Sequence, residues 1–283
     1  MKLILNPTLI LLILVLMISS CDQSKGLLLS QKERIALADK KFEKIEDLLQ
    51  GSPEAMILLE DVIALNPNHC EAIRELSIPY LKRGIPHKWK PIMDRAVACD
   101  PKTWQGWRGY LYLYFYRDYK KAIADFDATD SLTPNYIDAP QGHSVDFWRG
   151  HAYFGLKEYE QSIYYYKKHI AKVTEDFGEE WIEINAFLYL GIVLFETGKL
   201  EESLEYIDKA LLYAENKSAE AHYYKAKILM KLGQKERALI HINQSLKDLK
   251  AKYYNRRNYV ESIRQIYVEE IKEFKKVLEN PKP

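Results

Sequence analysis

The sequence is short of cysteine, of helix-breaking residues and of net charge. Only 3 of its 283 residues are cysteine, at positions 21, 70 and 99. None stands in a metal-ligating spacing, which argues against a zinc module. Glycine and proline number 12 and 11, a composition ordinary for a soluble helical chain. With 41 Lys+Arg against 40 Asp+Glu, there is no basic footprint for nucleic acid. The 7 histidines never fall four apart, so no helical zinc pair forms. Neither a nucleophile elbow nor a glycine-rich phosphate loop is present. Acidic pairs such as Glu201-Glu202 and Glu269-Glu270 read as solvated helix faces. The chain therefore reads as a non-enzyme, with no catalytic residue, metal or cofactor nominated.

A long hydrophobic run is missing too. The unbroken apolar stretch Leu9–Ile18 is ten residues long, whereas a spanning helix needs about 20. Lys2, a short greasy stretch and small residues ahead of a cut describe a secretory signal. Ile18-Ser19-Ser20-Cys21 resembles the lipobox of bacterial lipoproteins. The resemblance implies that 1–20 is removed and that Cys21 is acylated and anchored in a bilayer, with 21–34 as a tether. An ordinary cleaved signal or an uncleaved anchor is the alternative. Asp22 resembles an inner-membrane retention signal of enteric bacteria, a rule that does not transfer between bacterial groups, so the membrane stays open.

What the sequence has in plenty is tyrosine, 21 in all, and a beat. Asn66-Pro67, Asp100-Pro101 and Thr133-Pro134 each close a helical stretch, 34 and 33 residues apart. Gly84, Gly198 and Gly233 mark helix stops. Ala122, Ser162, Ser203 and Ala238 sit early in the helices that follow, where small side chains let two helices approach. "WRGYLYLYFYRDYKKAIADF" at 107 aligns with "WRGHAYFGLKEYEQSIYYY" at 148, the first copy carrying one extra residue in its turn. A period in the thirties marks a helical array. These landmarks resemble the tetratricopeptide repeat over about 35–250. The resemblance implies an all-α, right-handed superhelical solenoid of about six helix pairs.

Two surpluses interrupt the beat, in "NYIDAPQGHSV" and "VTEDFGEEWIE", and are expected at the surface as loops or longer helix ends. Pro79 is expected to kink its helix, and Pro86 and Pro91 to shorten the next. Residues 251–279 read as one capping helix, with Val260, Ile263, Ile266, Tyr267, Ile271, Phe274 and Leu278 on one face and 280–283 as a tail. Cys70 and Cys99 read as buried small apolar residues, a bridge being the alternative that export would permit.

The run "GYLYLYFYRDY" alternates as a strand would, yet lies in a helical repeat. On a helix Tyr110 and Tyr114 are about 40° apart, and Tyr112 faces nearly opposite. Aligning the two "WRG" copies makes Tyr112 a packing residue, like Tyr153. Tyr110 and Tyr114 then fall on the inner face, the family's usual ligand groove. Carrying the register along nominates Trp107, Tyr110, Tyr114, Phe147, Trp148, His151, Phe154, Leu188, Ile192, Phe195, Tyr223 and Lys227 as a partner-binding wall, with Met230 beside them. The bland alternatives are core packing or cover by the chain's own loops, the 135–146 insertion included. His143 is the one histidine on a loop. The family's chaperone-tail clamp is not reproduced, since its places hold Arg74, Ile78, Gly106, Trp107 and Tyr110.

The functional expectation is a membrane-tethered adaptor of the bacterial envelope, holding a protein or peptide partner in the groove. The alternative is capture of a glycan or other small ligand on the same rings.

Overall fold

Ser30 opens the first helix by a capping box: its side chain accepts from the Glu33 amide while Glu33 reaches back to the Ser30 N–H at 2.8 Å. The computed structural model describes residues 29–280. The signal segment 1–20, Cys21, the tether up to 28 and the last three residues of the tail lie outside the described residues.

Thirteen α-helices and no strand are found among the described residues. They form two compact units, divided between Trp104 and Gln105. The first unit holds two antiparallel pairs: α1 (Gln31–Phe42) with α2 (Pro53–Leu65), and α3 (Cys70–Lys82) with α4 (Pro86–Cys99). Ser52 caps α2, and Pro53 fills its first position, where no N–H is needed. Ala38, Leu59, Val62 and Ala72 are the buried centre of this unit, with Phe42, Ile63 and Leu76 packed around them.

Pro86 and Pro91 do less than expected. Helix α3 runs through Pro79 to Lys82, so the missing bond falls in the last turn. Helix α4 keeps 14 residues with Pro86 at its start and Pro91 inside. It is not shortened, because a ring at the first position meets no obligatory donor. The cysteines also correct the reading from sequence. Cys70, the first residue of α3, and Cys99, the last of α4, form a disulfide across the hairpin's open end, with Cα atoms 5.5 Å apart. Both are half-exposed rather than buried.

The second unit stacks four pairs. Helix α5 (Pro101–Leu111, crossing the unit boundary) continues as a π-turn, Tyr112–Tyr116, and precedes α6 (Tyr119–Leu132). Then come α7 (Val145–Leu156) with α8 (Tyr159–Phe177), α9 (Ile184–Glu196) with α10 (Leu200–Tyr213), and α11 (Ala219–Lys231) with α12 (Lys235–Lys250). Helix α13 (Val268–Glu279) packs on α12.

Close approach within pairs rests on glycine. A Cβ at Gly109 would lie 2.7 Å from the Phe126 ring, one at Gly150 2.7 Å from Tyr166, and one at Gly191 2.8 Å from Ile207. The serines opposite add a bond: Ser162 donates to the Gly150 carbonyl at 2.8 Å and Ser203 to the Gly191 carbonyl at 2.7 Å.

The tyrosine run is helical. Its extra residue is absorbed by the π-turn, a known way of placing one more residue in a helix. Arg117 then ends the turn in the left-handed conformation, as Lys157 does in the next copy. Tyr112 is buried, as the alignment requires.

The expected capping helix is less than half as long as predicted. Only Val268–Glu279 is helical, and 251–267 is an irregular strap. Its apolar residues mimic a helical period, but the strap's backbone binds elsewhere. The Ala219 N–H donates to the Tyr253 carbonyl at 2.8 Å, and the Asn255 N–H to Glu220 at 2.7 Å.

Candidate functional site

The inner face of the second unit is built by the first helices of its pairs, α5, α7, α9 and α11. Tyr110 and Tyr114, one turn apart on α5, have ring centroids 5.3 Å apart. Trp148 of α7 lies 5.1 Å from Tyr110 and 5.4 Å from Tyr114. His151, one turn on, meets Tyr189 of α9 at 4.4 Å. Further along, the Lys227 ammonium of α11 sits 5.2 Å from the Phe195 ring and 5.1 Å from Tyr223.

Of the residues nominated from the repeat register, Trp107, Tyr110, Tyr114, Phe147, Trp148 and His151 lie in a run of touching rings. It is not an open groove. Tyr114 is 2% exposed, Tyr110 7% and Trp148 0%; Phe147, His151, Phe154, Leu188, Ile192, Phe195 and Tyr223 are buried as well. Trp107, Lys227 and Met230 are half-buried. The cover is the strap. Arg257 Nη1 donates to the Tyr110 hydroxyl at 2.8 Å, and the guanidinium carbon lies 3.5 Å from the Tyr114 ring centroid. Arg264 grips Glu196 through two bonds, of 2.6 and 2.9 Å, and lies 4.3 Å over Phe154. Ile263 and Ile266 are buried, and Arg117 donates to the Glu261 carbonyl. Phe274 of α13 reaches Tyr223 at 6.1 Å.

The 135–146 insertion closes a second side. Trp148 Nε1 donates to the Pro140 carbonyl at 2.8 Å, and His143 stacks 4.9 Å from Phe147. His143 Nδ1 meets Glu183 at 2.8 Å, and the other Glu183 oxygen meets His169 at 2.6 Å. The two surpluses of the repeat are therefore tied to each other. Burial pushes the Glu183 carboxyl up, but the bonds from His143 and His169 outweigh it and hold it well below the usual range.

The electrostatics follow burial. Burial holds His151 neutral, well below the ordinary imidazole value, and the Arg257 charge adds to it. Burial likewise raises Glu220, to about 6, and lowers Lys227. Among the described residues no group of three His, Cys, Asp or Glu could hold a metal.

Sequence reasoning missed the two arginines of the strap, because the period around them looked helical. It also left unexplained the arginine of each "WRG". Arg108 makes two bonds to Asp125, of 2.8 and 2.7 Å. Arg149, 1% exposed, bonds Asp146, Asp127, Asp130 and the Phe126 carbonyl. Both clamp a first helix to α6, so the motif reads as wall residue, clamp and close-approach glycine.

No family model matches the chain, and no curated protein matches it by sequence. Solved structures do. PilW, described as a widely conserved type IV pilus biogenesis factor, is 18% identical with a TM-score of 0.59, over 78% of this chain and 94% of its own. PilF of Pseudomonas aeruginosa is 14% identical with a TM-score of 0.53, over 78% and 97%. A tetratricopeptide repeat protein from Parabacteroides merdae is 17% identical with a TM-score of 0.51, over 88% and 84%. At such identities the likeness is one of fold, and the fold of this chain is that of tetratricopeptide-repeat proteins.

Proposed function

We propose that the chain is an exported, lipid-tethered scaffold that holds a protein partner by an extended segment laid along the wall of α5, α7, α9 and α11. One observation carries this reading: the wall already holds an irregular, non-helical stretch of peptide, its own strap, by ring faces, a two-bond ion pair and backbone contacts. A partner segment of the same chemistry, arginine between apolar residues, would exchange with the strap at Tyr110, Tyr114, Trp148 and Phe154. Aromatic anchors of this kind carry much of the energy at typical interfaces.

Export and tethering draw on other features. The Ser20-Cys21 junction after a short apolar run reads as an acylation site, and the Cys70–Cys99 bridge fits an oxidising compartment. No helix among the described residues is long and apolar enough to cross a membrane. The anchor in this reading is the acyl chain on Cys21. Holding the repeats near a bilayer raises their effective concentration for partners on it. The pilus biogenesis described for PilW is an envelope process, which supports an envelope partner.

The test is crosslinking in cells, with the full chain and three variants. Cys21→Ala should move the protein out of the membrane fraction. Glu196→Ala with Arg264→Ala, which loosens the strap, should increase capture of the partner seen with the wild type. Tyr110→Ala with Tyr114→Ala should reduce it, with helicity unchanged. Capture insensitive to both wall and strap would overturn the groove as the docking place.

A further inference from the structure

Under the strap lies a cavity of 290 Å³, between the aromatic wall and residues 255–262. Its walls include Tyr114, Phe147 and Tyr189, and its polar groups include Asn185, Arg256 and Arg257. We propose that this cavity binds a small polar molecule carrying one carboxylate, of the size of an amino acid or a hydroxy acid. The assignment is independent of the scaffold reading, since it rests on the space the strap leaves when seated.

Charge decides the sign of the guest. Arg257 makes no ion pair with a carboxylate among the described residues, although it is half-buried. Its neighbours are the Tyr110 hydroxyl and the rings of Tyr114 and Trp148, which have no net charge. A guanidinium has about five N–H donors, and ring faces satisfy it only in part. Nearby acids make no bond to Arg257: Glu183 lies between His143 and His169, Glu196 is held by Arg264, and Glu220 takes the Asn255 N–H on one oxygen while its other oxygen has no hydrogen-bond partner. His151, on the cavity floor, is neutral and offers no competing cation.

Size and shape decide the rest. With liquid water taking about 30 Å³ per molecule, the cavity has room for about ten non-hydrogen atoms. A planar guanidinium fork matches a carboxylate with two parallel bonds. Of the two lining arginines Arg256 is exposed and Arg257 half-buried, so one guanidinium shielded from water answers one negative charge, and the Asn185 amide lies within the same cavity for the guest's polar body. Tyr114 and Phe147 supply flat walls.

The experiment is calorimetric titration of the full mature chain with L-glutamine and L-malamate, the half-amide of malic acid with one carboxylate, as probes. Malamide serves as the uncharged counterpart, and inorganic phosphate as a different anion. The expected result is a saturable isotherm with at least one carboxylate probe and none with malamide. Arg257→Gln should weaken it at least tenfold. Since that change also loosens the strap, Asn185→Leu is the second variant: it fills the cavity from α9, away from the strap, and should abolish binding while hydrogen exchange across 251–267 stays as in the wild type. No isotherm with either carboxylate up to about 10 mM overturns the proposal. So does binding unchanged in both variants, or binding of phosphate alone.

Discussion

The guanidinium of Arg257 lies 3.5 Å from the ring centroid of Tyr114, and its Nη1 donates to Tyr110 one turn earlier on the same helix. One strap residue thus closes over the two tyrosines that the repeat register placed on the inner face. What would be a docking surface in an open array is here an internal joint, and its strength governs whether the wall is reachable.

Arg264 and Glu196 hold the other end of that joint. Their side chains are 30% and 21% exposed, so the pair is only partly desolvated. Removing one partner strands the other, and Arg264→Ala should destabilise the second unit by about 1–3 kcal/mol near pH 7. Burial raises the Glu196 carboxyl, but the Arg264 bonds and charge hold it below the ordinary value. A depressed carboxyl contributes stability that is present above its unfolded value and lost as pH falls through the folded one. The gap between wild type and variant should therefore narrow in acid. Urea melts at pH 7 and pH 3 measure it, and hydrogen exchange should quicken in the strap and at 110–114.

Helix content, pairing and the register of the rings were legible because they repeat. A Cβ at Gly109, Gly150 or Gly191 would lie under 3 Å from a side chain of the second helix, and that constraint writes itself into the sequence at a fixed interval. The strap was not legible. Ile263 and Ile266 are apolar because the strap buries them, and their spacing of three matches a helix by coincidence. The disulfide was left open because the Cys70–Cys99 contact depends on where two helix ends meet. The π-turn was visible only as a surplus residue in the "WRG" alignment, with no hint of how the backbone would absorb it.

The glycine positions make a test with opposite signs. Alanine at Gly191 would press on Ile207, with the backbone nitrogen only 3.2 Å from the new carbon. Overpacking of that kind costs about 1–3 kcal/mol, more than the gain of roughly 1 kcal/mol from replacing a helical glycine. Gly106 differs, since its nearest neighbour, Thr129 Cγ2, would be at 3.4 Å. Gly191→Ala should lower the melting temperature of the second unit, and Gly106→Ala should leave it unchanged or raise it.

The Cys70–Cys99 bridge encloses a separation of 29 residues. On the chain-entropy account, a loop of that length contributes about 3–4 kcal/mol. Replacing both cysteines by serine should open the α3–α4 hairpin to limited proteolysis, with cuts confined to the first unit. A reducing agent should reproduce the effect in the wild type and add nothing in the variant.

Glu220 offers a stabilising change with a defined pH window. Its Oε1 accepts from the Asn255 N–H at 2.7 Å, while Oε2 is buried without a hydrogen-bond partner. Burial raises its pKa from the ordinary carboxyl value of 4.5 to about 6. A carboxyl raised on folding binds a proton more tightly in the native state. Stability therefore falls as pH rises from the unfolded value through about 6, and the penalty is complete above that. A shift of this size corresponds to about 2 kcal/mol. Glu220→Gln keeps an acceptor for Asn255 and removes the charge, so it should stabilise the second unit by about 1–2 kcal/mol at pH 8. At pH 4.5, where the native carboxyl is already protonated, the advantage should vanish. Denaturant melts of both proteins at the two pH values decide it, and a gain independent of pH would mean that the buried charge is not its source.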